Sequence, residues 1–279
     1  MNDEFYIILP VHNRKEITRR FVQSLKAQSH SNYHLVLIDD GSTDGTANMV
    51  REYLPSATVL QGGGGSWWAG SLQKGIDWLK QHDVSDTAII LLINDDVTFD
   101  EDYLAMASSV FSNRFGLLLL SRYSCDGGNV IKESGVVADL RRLSFRVAAT
   151  GEEVNCLSTR GLFIRFRDIK IIGDFHPRIL PHYLSDYEYT IRAARKDMRC
   201  ETSDLVYICP DPEATGYHDF NEPGFFRFLK KYFSIKSTDN PIYWSVFVIL
   251  TAPRLWILPN LARVWFRSAN IILKQLFVH

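Results

Sequence analysis

From residue 5 to residue 100 the chain alternates between two rhythms of apolar positions. Phe5–Leu9, FYIIL, is a continuous apolar run stopped by Pro10, which predicts a buried strand. Arg14–Gln28 carries Ile17, Phe21, Val22 and Leu25 at the spacing of an amphipathic helix. Leu35–Ile38 predicts a second strand, closed by DDGSTDG, where Ser42 or Thr43 can cap a helix starting near Asp44. A weaker strand at Thr58–Leu60 precedes QGGGGSWWAG and a helix over Gly70–Gln81. Ala88–Ile93 is the fourth strand, and it delivers Asn94, Asp95 and Asp96.

Strand–helix alternation of this kind predicts an α/β fold with a doubly wound, mostly parallel sheet. Such sheets bind ligands beyond the carboxyl ends of their strands. The polar groups fall there: His12, Asn13 and Arg14, then Asp39 and Asp40, then the glycine run, then Asn94–Asp96. A site on that rim is the expectation. Beyond residue 115 the pattern loosens. FGLLLLS, ESGVVADL, LSFRVAAT and VNCLSTRGLFIRF predict further strands, some antiparallel. SDYEYTIRAARKDM predicts a helix with Tyr187, Ile191, Ala194 and Met198 on one face. No linker rich in Pro, Gly or Ser divides the chain, so the second half is expected to extend the sheet and complete the cleft.

Composition narrows the classes. With 279 residues, 46% of them hydrophobic, the chain can bury a sizeable core. A formal net charge of −1 argues against a general nucleic-acid binder. Cys125, Cys156, Cys200 and Cys209 form no CxxC pair, which predicts reduced thiols in a cytosolic protein. MNDEFYIILPVHNRK lacks the basic start and long apolar region of a signal peptide. Residues 240–279 stand apart: they contain no Asp or Glu, carry Arg254, Arg263, Arg267 and Lys274, and are crowded with Trp, Phe, Leu and Ile. Pro253, Arg254 and Pro259 interrupt the apolar run well before the roughly 20 residues of a membrane span. Three readings of this tail stay open: contact with an anionic membrane face, helices packed back on the domain, or an oligomer interface.

The stretch LLINDDVTFD ends a buried strand in carboxylates that are costly to bury unpartnered. Carboxylates at a strand end suit a hard divalent cation that also takes phosphate oxygens; a turn exposed to water is the other reading. Asp39 and Asp40 can accept hydrogen bonds from a base or a ribose; the other reading is that Asp40 or Ser42 caps the next turn. GGGGSWWAG permits close backbone approach to a ligand, yet it fits neither a phosphate loop nor GxGxxG. Trp67 and Trp68 serve either as core or as a sugar platform.

Taken together, ILPVHNRKE, VLIDDGSTDGT, GGSWWAGSLQKGI and LLINDDV resemble family 2 glycosyltransferases of the GT-A fold, and most closely the bacterial rhamnosyltransferase-like members. TRGLFIRFRDIKIIGDF and LPHYLSDYEYTIRAARKDM resemble the acceptor half of that family, so the likeness covers about residues 4–220. It implies that Pro10, His12, Arg14, Asp40, Gly64, Asn94 and Asp95 contact the nucleotide. It also implies that Asp96 and His218 hold Mg2+ or Mn2+, that Trp67 and Trp68 meet substrate, and that Asp186 is the catalytic base. Two positions depart from the pattern. Asn94 replaces the first Asp of the family's Asp-x-Asp, and Ser185 replaces the Glu of its Glu-Asp. Ser185-Asp186-Tyr187-Glu188 also reads as a capping box, which leaves Asp186 free to face the cleft; Glu188 is the second candidate base.

The resemblance implies an inverting enzyme of the hexosyl or deoxyhexosyl class. It would move a sugar from a dTDP-, UDP- or GDP-linked donor to a glycan or lipid-linked saccharide in cell-surface polysaccharide synthesis. Residues 1–222 would form the transferase domain, with a nucleotide half at 1–100 and an acceptor half at 101–222. Residues 223–279 would form a helical tail. The location implied is cytoplasmic, with peripheral contact at the inner face of the plasma membrane left open. Two other classes are weighed. A nucleotidyltransferase would carry a glycine-rich basic loop after the first strand, where PVHNRKE has no glycine. A degenerate sugar-nucleotide or glycan-binding module would explain Asn94, but not the retention of both Asp96 and Asp186.

Overall fold

The computed structural model describes residues 3–112, 114–123, 135–149, 151–211, 214 and 224–277. Strands β1 (Phe5–Val11), β2 (Tyr33–Asp39), β3 (Thr58–Gln61) and β4 (Ile89–Leu92) lie parallel in the order β3-β2-β1-β4. Helices α1 (Lys15–Lys26), α2 (Thr46–Tyr53) and α3 (Trp67–Gln81) connect them. These strands are apolar on both faces because helices cover both. On β1, Phe5, Ile7 and Leu9 pack with Phe21, Val22 and Met49 of α1 and α2, whereas Ile8 packs with Leu72 and Ile76 of α3. β2 divides the same way, Leu35 and Leu37 to one side and Val36 and Ile38 to the other.

The first three strands step outward from β1 in one direction. α3 then carries the chain back across the sheet to β4, on the opposite flank of β1. That reversal opens a crevice between the carboxyl ends of β1 and β4, the place where such sheets take ligands.

The second half contributes β5 (Val97–Thr98), α4 (Tyr103–Phe111), β6 (Leu117–Tyr123), β7 (Val136–Asp139), β8 (Ser144–Val147), β9 (Leu162–Arg165), α5 (Phe166–Ile172), α6 (Ser185–Ala194) and β10 (Arg199–Pro210). The complete sheet runs β3-β2-β1-β4-β9-β6-β10-β5, while β7 and β8 form a separate hairpin. β9 is antiparallel to both β4 and β6, and β10 runs parallel to β6 with a register shift between Thr202 and Tyr207. This is the expected α/β, GT-A-like architecture with a helical C-terminal extension. Cys156, Cys200 and Cys209 are free thiols; Cys125 lies outside the described residues.

Several local expectations need correction. Neither Ser42 nor Thr43 caps α2. Gly45 stands at the N-cap, and Asp44 just before it accepts from Thr46 N at 3.0 Å while its second oxygen accepts from Lys15 N at 2.9 Å, so one carboxylate serves two helix starts. α3 begins at Trp67, ahead of Gly70, because the Asp40 carboxylate reaches its first N–H groups. α6 ends at Ala194, short of Met198, and buries two faces instead of one. Tyr189 and Ala193 face the sheet, while Tyr187 and Ile191 face Phe247 of the tail.

The tail comprises α7 (Phe225–Tyr232), α8 (Pro241–Thr251), a 3-10 turn (Arg254–Trp256) and α9 (Ile257–Phe277). α8 starts with Asn240 accepting from Ile242 N at 2.9 Å and with Pro241 in the first turn. Phe247 packs with Ala138 and Ile191, and Val248 with Val264 of α9. Asn260, fully buried, donates to Leu140 O at 2.9 Å. One face of the tail is therefore packed back on the body. No helix among the described residues is long and apolar enough to cross a membrane.

Candidate active site

The loops after β1 and β2 are stitched to each other. Asn13 N donates to Ser42 Oγ at 2.9 Å, and Asn13 Oδ1 accepts from Thr43 N at 2.8 Å. His12 Nδ1 donates to the Asp40 carbonyl at 2.7 Å, which leaves Nε2 to accept from Asn13 Nδ2 at 3.1 Å. Asp40 then organises the glycine loop. Its Oδ1 accepts from Gly64 N and Ser66 Oγ, and its Oδ2 from Ser66 N and Trp67 N. Burial raises the Asp40 pKa, but these hydrogen bonds outweigh it and hold the carboxyl below the usual range. Gly62 has no alternative here: a Cβ at that position would sit 2.5 Å from Asp40 Oδ1. Gly64 takes φ +84°, and Trp67 is held at φ +55°, a strained start for a helix.

These elements wall a cavity of about 440 Å³ at the β1/β4 crevice. Pro10, His12, Arg14, Asp40, Gly64, Trp67, Trp68, Asn94 and Asp95 all line it. Five lining residues were missed by sequence reasoning: Val11, Ser71, His182, Tyr183 and Lys236. Lys236 comes from the segment between α7 and α8, with its ammonium 5.9 Å from the Trp67 ring centroid. Trp67 also meets the His182 ring at 5.7 Å.

Asp186 lines a second cavity, of about 240 Å³, together with Arg160 and Thr159. The two cavities adjoin, since Trp68, Asn94, His182 and Tyr183 line both. Trp68 Nε1 donates to Thr159 Oγ1 at 2.8 Å, fixing the wall between them. Burial pushes the Asp186 carboxyl up to about 6, against hydrogen bonds from backbone N–H groups that include Tyr187 and against the nearby Arg160 charge. The expected capping box does not form. Leu184, at φ +68°, precedes the helix, so Ser185 falls inside the first turn and donates to His182 O at 2.6 Å. Glu188 turns away and pairs with Arg192 at 2.9 Å, lining neither cavity. Thr190 pins the helix from behind: its hydroxyl accepts from Leu157 N and donates to Leu157 O, both at 3.0 Å.

The acidic pair after β4 sits deeper. Asp95 accepts from Thr18 Oγ1 at 2.8 Å and pairs with Arg14 at 3.2 Å. Burial is the main cause that raises the Asp95 carboxyl to about 6, with Arg14 pulling the other way. Asp96 is buried and lines neither of the two cavities. It borders a third, of about 200 Å³, beside Ile17 and Cys209. Its Oδ2 faces Arg14 at 3.7 Å and Arg160 at 3.9 Å, while its buried Oδ1 has no hydrogen-bond partner. An orphaned carboxylate oxygen, a second carboxylate and the Asn94 amide make an all-oxygen donor set, which fits Mg2+ or Mn2+ in the company of diphosphate oxygens. Among the described residues no three His, Cys, Asp or Glu side chains converge, so such an ion would take most of its ligands from the nucleotide. His218 lies outside the described residues.

With this geometry in view, comparison with known proteins gives the class. Residues 6–169, more than half of the chain, match glycosyl transferase family 2, and the chain belongs to that family. No curated protein sequence matches it. Among solved structures it is similar to S. aureus TarS 1-349, with 18% identity, a TM-score of 0.58, and coverage of 95% of this chain and 72% of that one. It is also similar to the mannosyltransferase PcManGT from Pyrobaculum calidifontis in complex with GDP-Man and Mn2+, with 18% identity, a TM-score of 0.57, and coverage of 96% and 75%. GalNAc-T7 with UDP, GalNAc and Mn2+ aligns at 10% identity, a TM-score of 0.62, and coverage of 87% and 50%. The chain thus spans half of that protein, and 50% of the longer TarS chain as well. At these identities the likeness is one of fold.

Proposed function

We propose that this glycosyltransferase is inverting and metal-assisted, taking a nucleoside-diphosphate sugar in the larger cavity and an acceptor hydroxyl in the smaller. The observation that carries the reading is the junction of the two cavities, with Asp186 on one side, Asp40 and Arg14 on the other, and Asn94 lining both. The structures of TarS with UDP-GlcNAc and of PcManGT with GDP-Man and Mn2+ support a nucleotide-sugar donor and a divalent cation.

On this reading the nucleotide lies against Pro10, His12 and Gly64, and the Asp40-ordered glycine loop gives it a rigid backbone wall. Arg14 and Lys236 meet the diphosphate with positive charge, and Trp67 and Trp68 offer ring faces to the sugar. Asn94, Asp95 and Asp96 would hold Mg2+ or Mn2+, which when bound stabilises the charge of the departing diphosphate as a Lewis acid. Asp186, with a pKa of about 6, is ionised at neutral pH yet basic enough to take the proton of the attacking hydroxyl. The C1–diphosphate bond breaks as the hydroxyl oxygen bonds to C1 from the opposite face, so the anomeric configuration inverts. The nucleoside diphosphate leaves with the electron pair. No covalent enzyme intermediate is required. The glycine-rich, double-tryptophan segment favours a rhamnosyl-type deoxyhexose donor, and a surface-glycan acceptor completes the assignment. Residues 1–222 act as the transferase domain, and residues 223–279 are an appended unit that lends Lys236.

Calorimetric titration of UDP, dTDP and GDP, with and without Mn2+, followed by a turnover screen of the matching sugar nucleotides, tests this. Tighter diphosphate binding with Mn2+ and release of free nucleoside diphosphate only with acceptor present are expected. Binding that Mn2+ leaves unchanged removes the metal from the scheme, and binding without turnover favours the sugar-nucleotide-binding reading.

A further inference from the structure

The transfer chemistry leaves one large surface unused. α9 has three faces. Asn260, Val264 and Ser268, four residues apart, are buried against the body. On another side Leu258, Trp265, Phe266, Leu273 and Leu276 are exposed, Leu258 at 78% and Phe266 at 72%, and Leu255 of the preceding turn reaches 89%. At 3.6 residues per turn these positions share one arc, and Arg263, Arg267 and Lys274 share an adjoining stripe. Packing has therefore used one face of the helix and left an apolar one bare. A bare apolar arc of this size on a folded chain marks a surface that something covers.

We propose that α9 docks in the plane of an anionic lipid surface. Leu258, Trp265, Phe266 and Leu273 enter the acyl boundary, and the basic stripe meets the headgroup phosphates. Charge decides the occupant. No Asp or Glu occurs in residues 240–279, so every ionised side chain on α9 is positive. Asp239 offsets only part of this, through its 2.8 Å pair with Arg267. A second copy packed on the same arc would bring like charges together along the seam, where helix pairs ordinarily alternate sign. An anionic bilayer supplies the missing negative charge and solvates the apolar arc at once. The arc is one-sided and no described helix is fit to span, so the helix lies on the surface. Trp265 sits where indoles favour the membrane–water boundary.

Flotation of the full chain with vesicles tests this, independently of nucleotide binding. Vesicles of phosphatidylcholine with phosphatidylglycerol should carry the chain at low salt, and the bound fraction should fall as salt rises. Phosphatidylcholine alone should bind it weaker by roughly tenfold or more, as loss of several cation–lipid contacts implies. The double variant Leu258→Glu with Phe266→Glu changes only exposed side chains. It should stay in the lipid-free fraction while keeping its circular dichroism melt and its nucleotide titration. Lys274→Glu should weaken flotation without abolishing it. Failure of the parent chain to float at low salt would overturn the proposal. So would equal binding to both vesicle types, or a lipid-free dimer that the double variant dissociates, since a second copy would then be the cover.

Discussion

The two ends of the central sheet treat buried charge in opposite ways. At the amino-terminal end of β4, Arg165 is buried and its guanidinium is fully employed. It donates to Arg114 O at 3.2 Å and Phe111 O at 3.1 Å, also to Thr87 O, and pairs with Asp3 at 3.4 Å. At the carboxyl end of β4, Asp96 keeps a buried oxygen without a partner, and Asp95 and nearby Asp186 have carboxyls raised to about 6. The same strands carry both ends, so the contrast does not come from the core. At one end the buried charge completes its hydrogen bonds and supports the fold. At the other Asp40 and Asp95 are partnered but one oxygen of Asp96 is not, and a group left incomplete in a crevice is where a ligand finds a partner.

That contrast can be broken at either end. Asp186→Asn should have the largest effect, cutting transfer by about 10²–10⁴-fold while diphosphate binding stays close to the parent value. The parent kcat/KM should climb with pH to a plateau above about 6, as Asp186 loses its proton. The sign for stability is opposite. A carboxyl raised from 3.8 to about 6 opposes folding when ionised, a cost fully present above pH 6 and lost as pH falls to 3.8. The Asn variant should therefore melt higher than the parent at neutral pH, with the gap closing in acid. Lower melting at neutral pH would mean that Asp186 is structural.

Arg165→Met should do the reverse. Removing one partner of a buried, fully bonded charge costs about 3–5 kcal/mol of stability by denaturant titration, with turnover per folded molecule unchanged. Thr190→Val should couple the two ends of the argument, losing about 1–2 kcal/mol as Leu157 N and O go unpaired. Because Thr190 sets the position of α6, kcat should fall while KM for the donor holds. Ser66→Ala should be the mildest. It removes one of four hydrogen bonds to Asp40, costs about 1 kcal/mol, and loosens nucleotide binding by a few-fold in calorimetry.

Much of the rim was legible in the sequence because polar residues follow apolar runs directly. Pro10, His12, Arg14, Asp40 and Asn94 were each found as the residues that end or follow a strand, and strand ends are local information. β10 was not found, since RCETSDLVYICP mixes polar and apolar positions across a register shift and has no clean period. Arg160 lies within TRGLFIRFRDIKIIGDF, and His182 and Tyr183 lie within LPHYLSDYEYTIRAARKDM, both already singled out; for His182 and Tyr183 closeness to Asp186 was the signal that went unread. Lys236 had no local signal at all: only tertiary packing brings it over Trp67. The capping box misled because S-x-x-E describes a helix start without knowing that Leu184 turns left-handed one residue earlier, or that Arg192 claims Glu188.

Lys236 has a consequence for anyone rearranging this protein. It stands outside the stretch that matches the family, yet it forms part of the wall of the larger cavity, the one proposed to take the nucleotide. A chimera that trades the C-terminal segment for another would redecorate that pocket as well, and its preference among sugar nucleotides would travel with the graft.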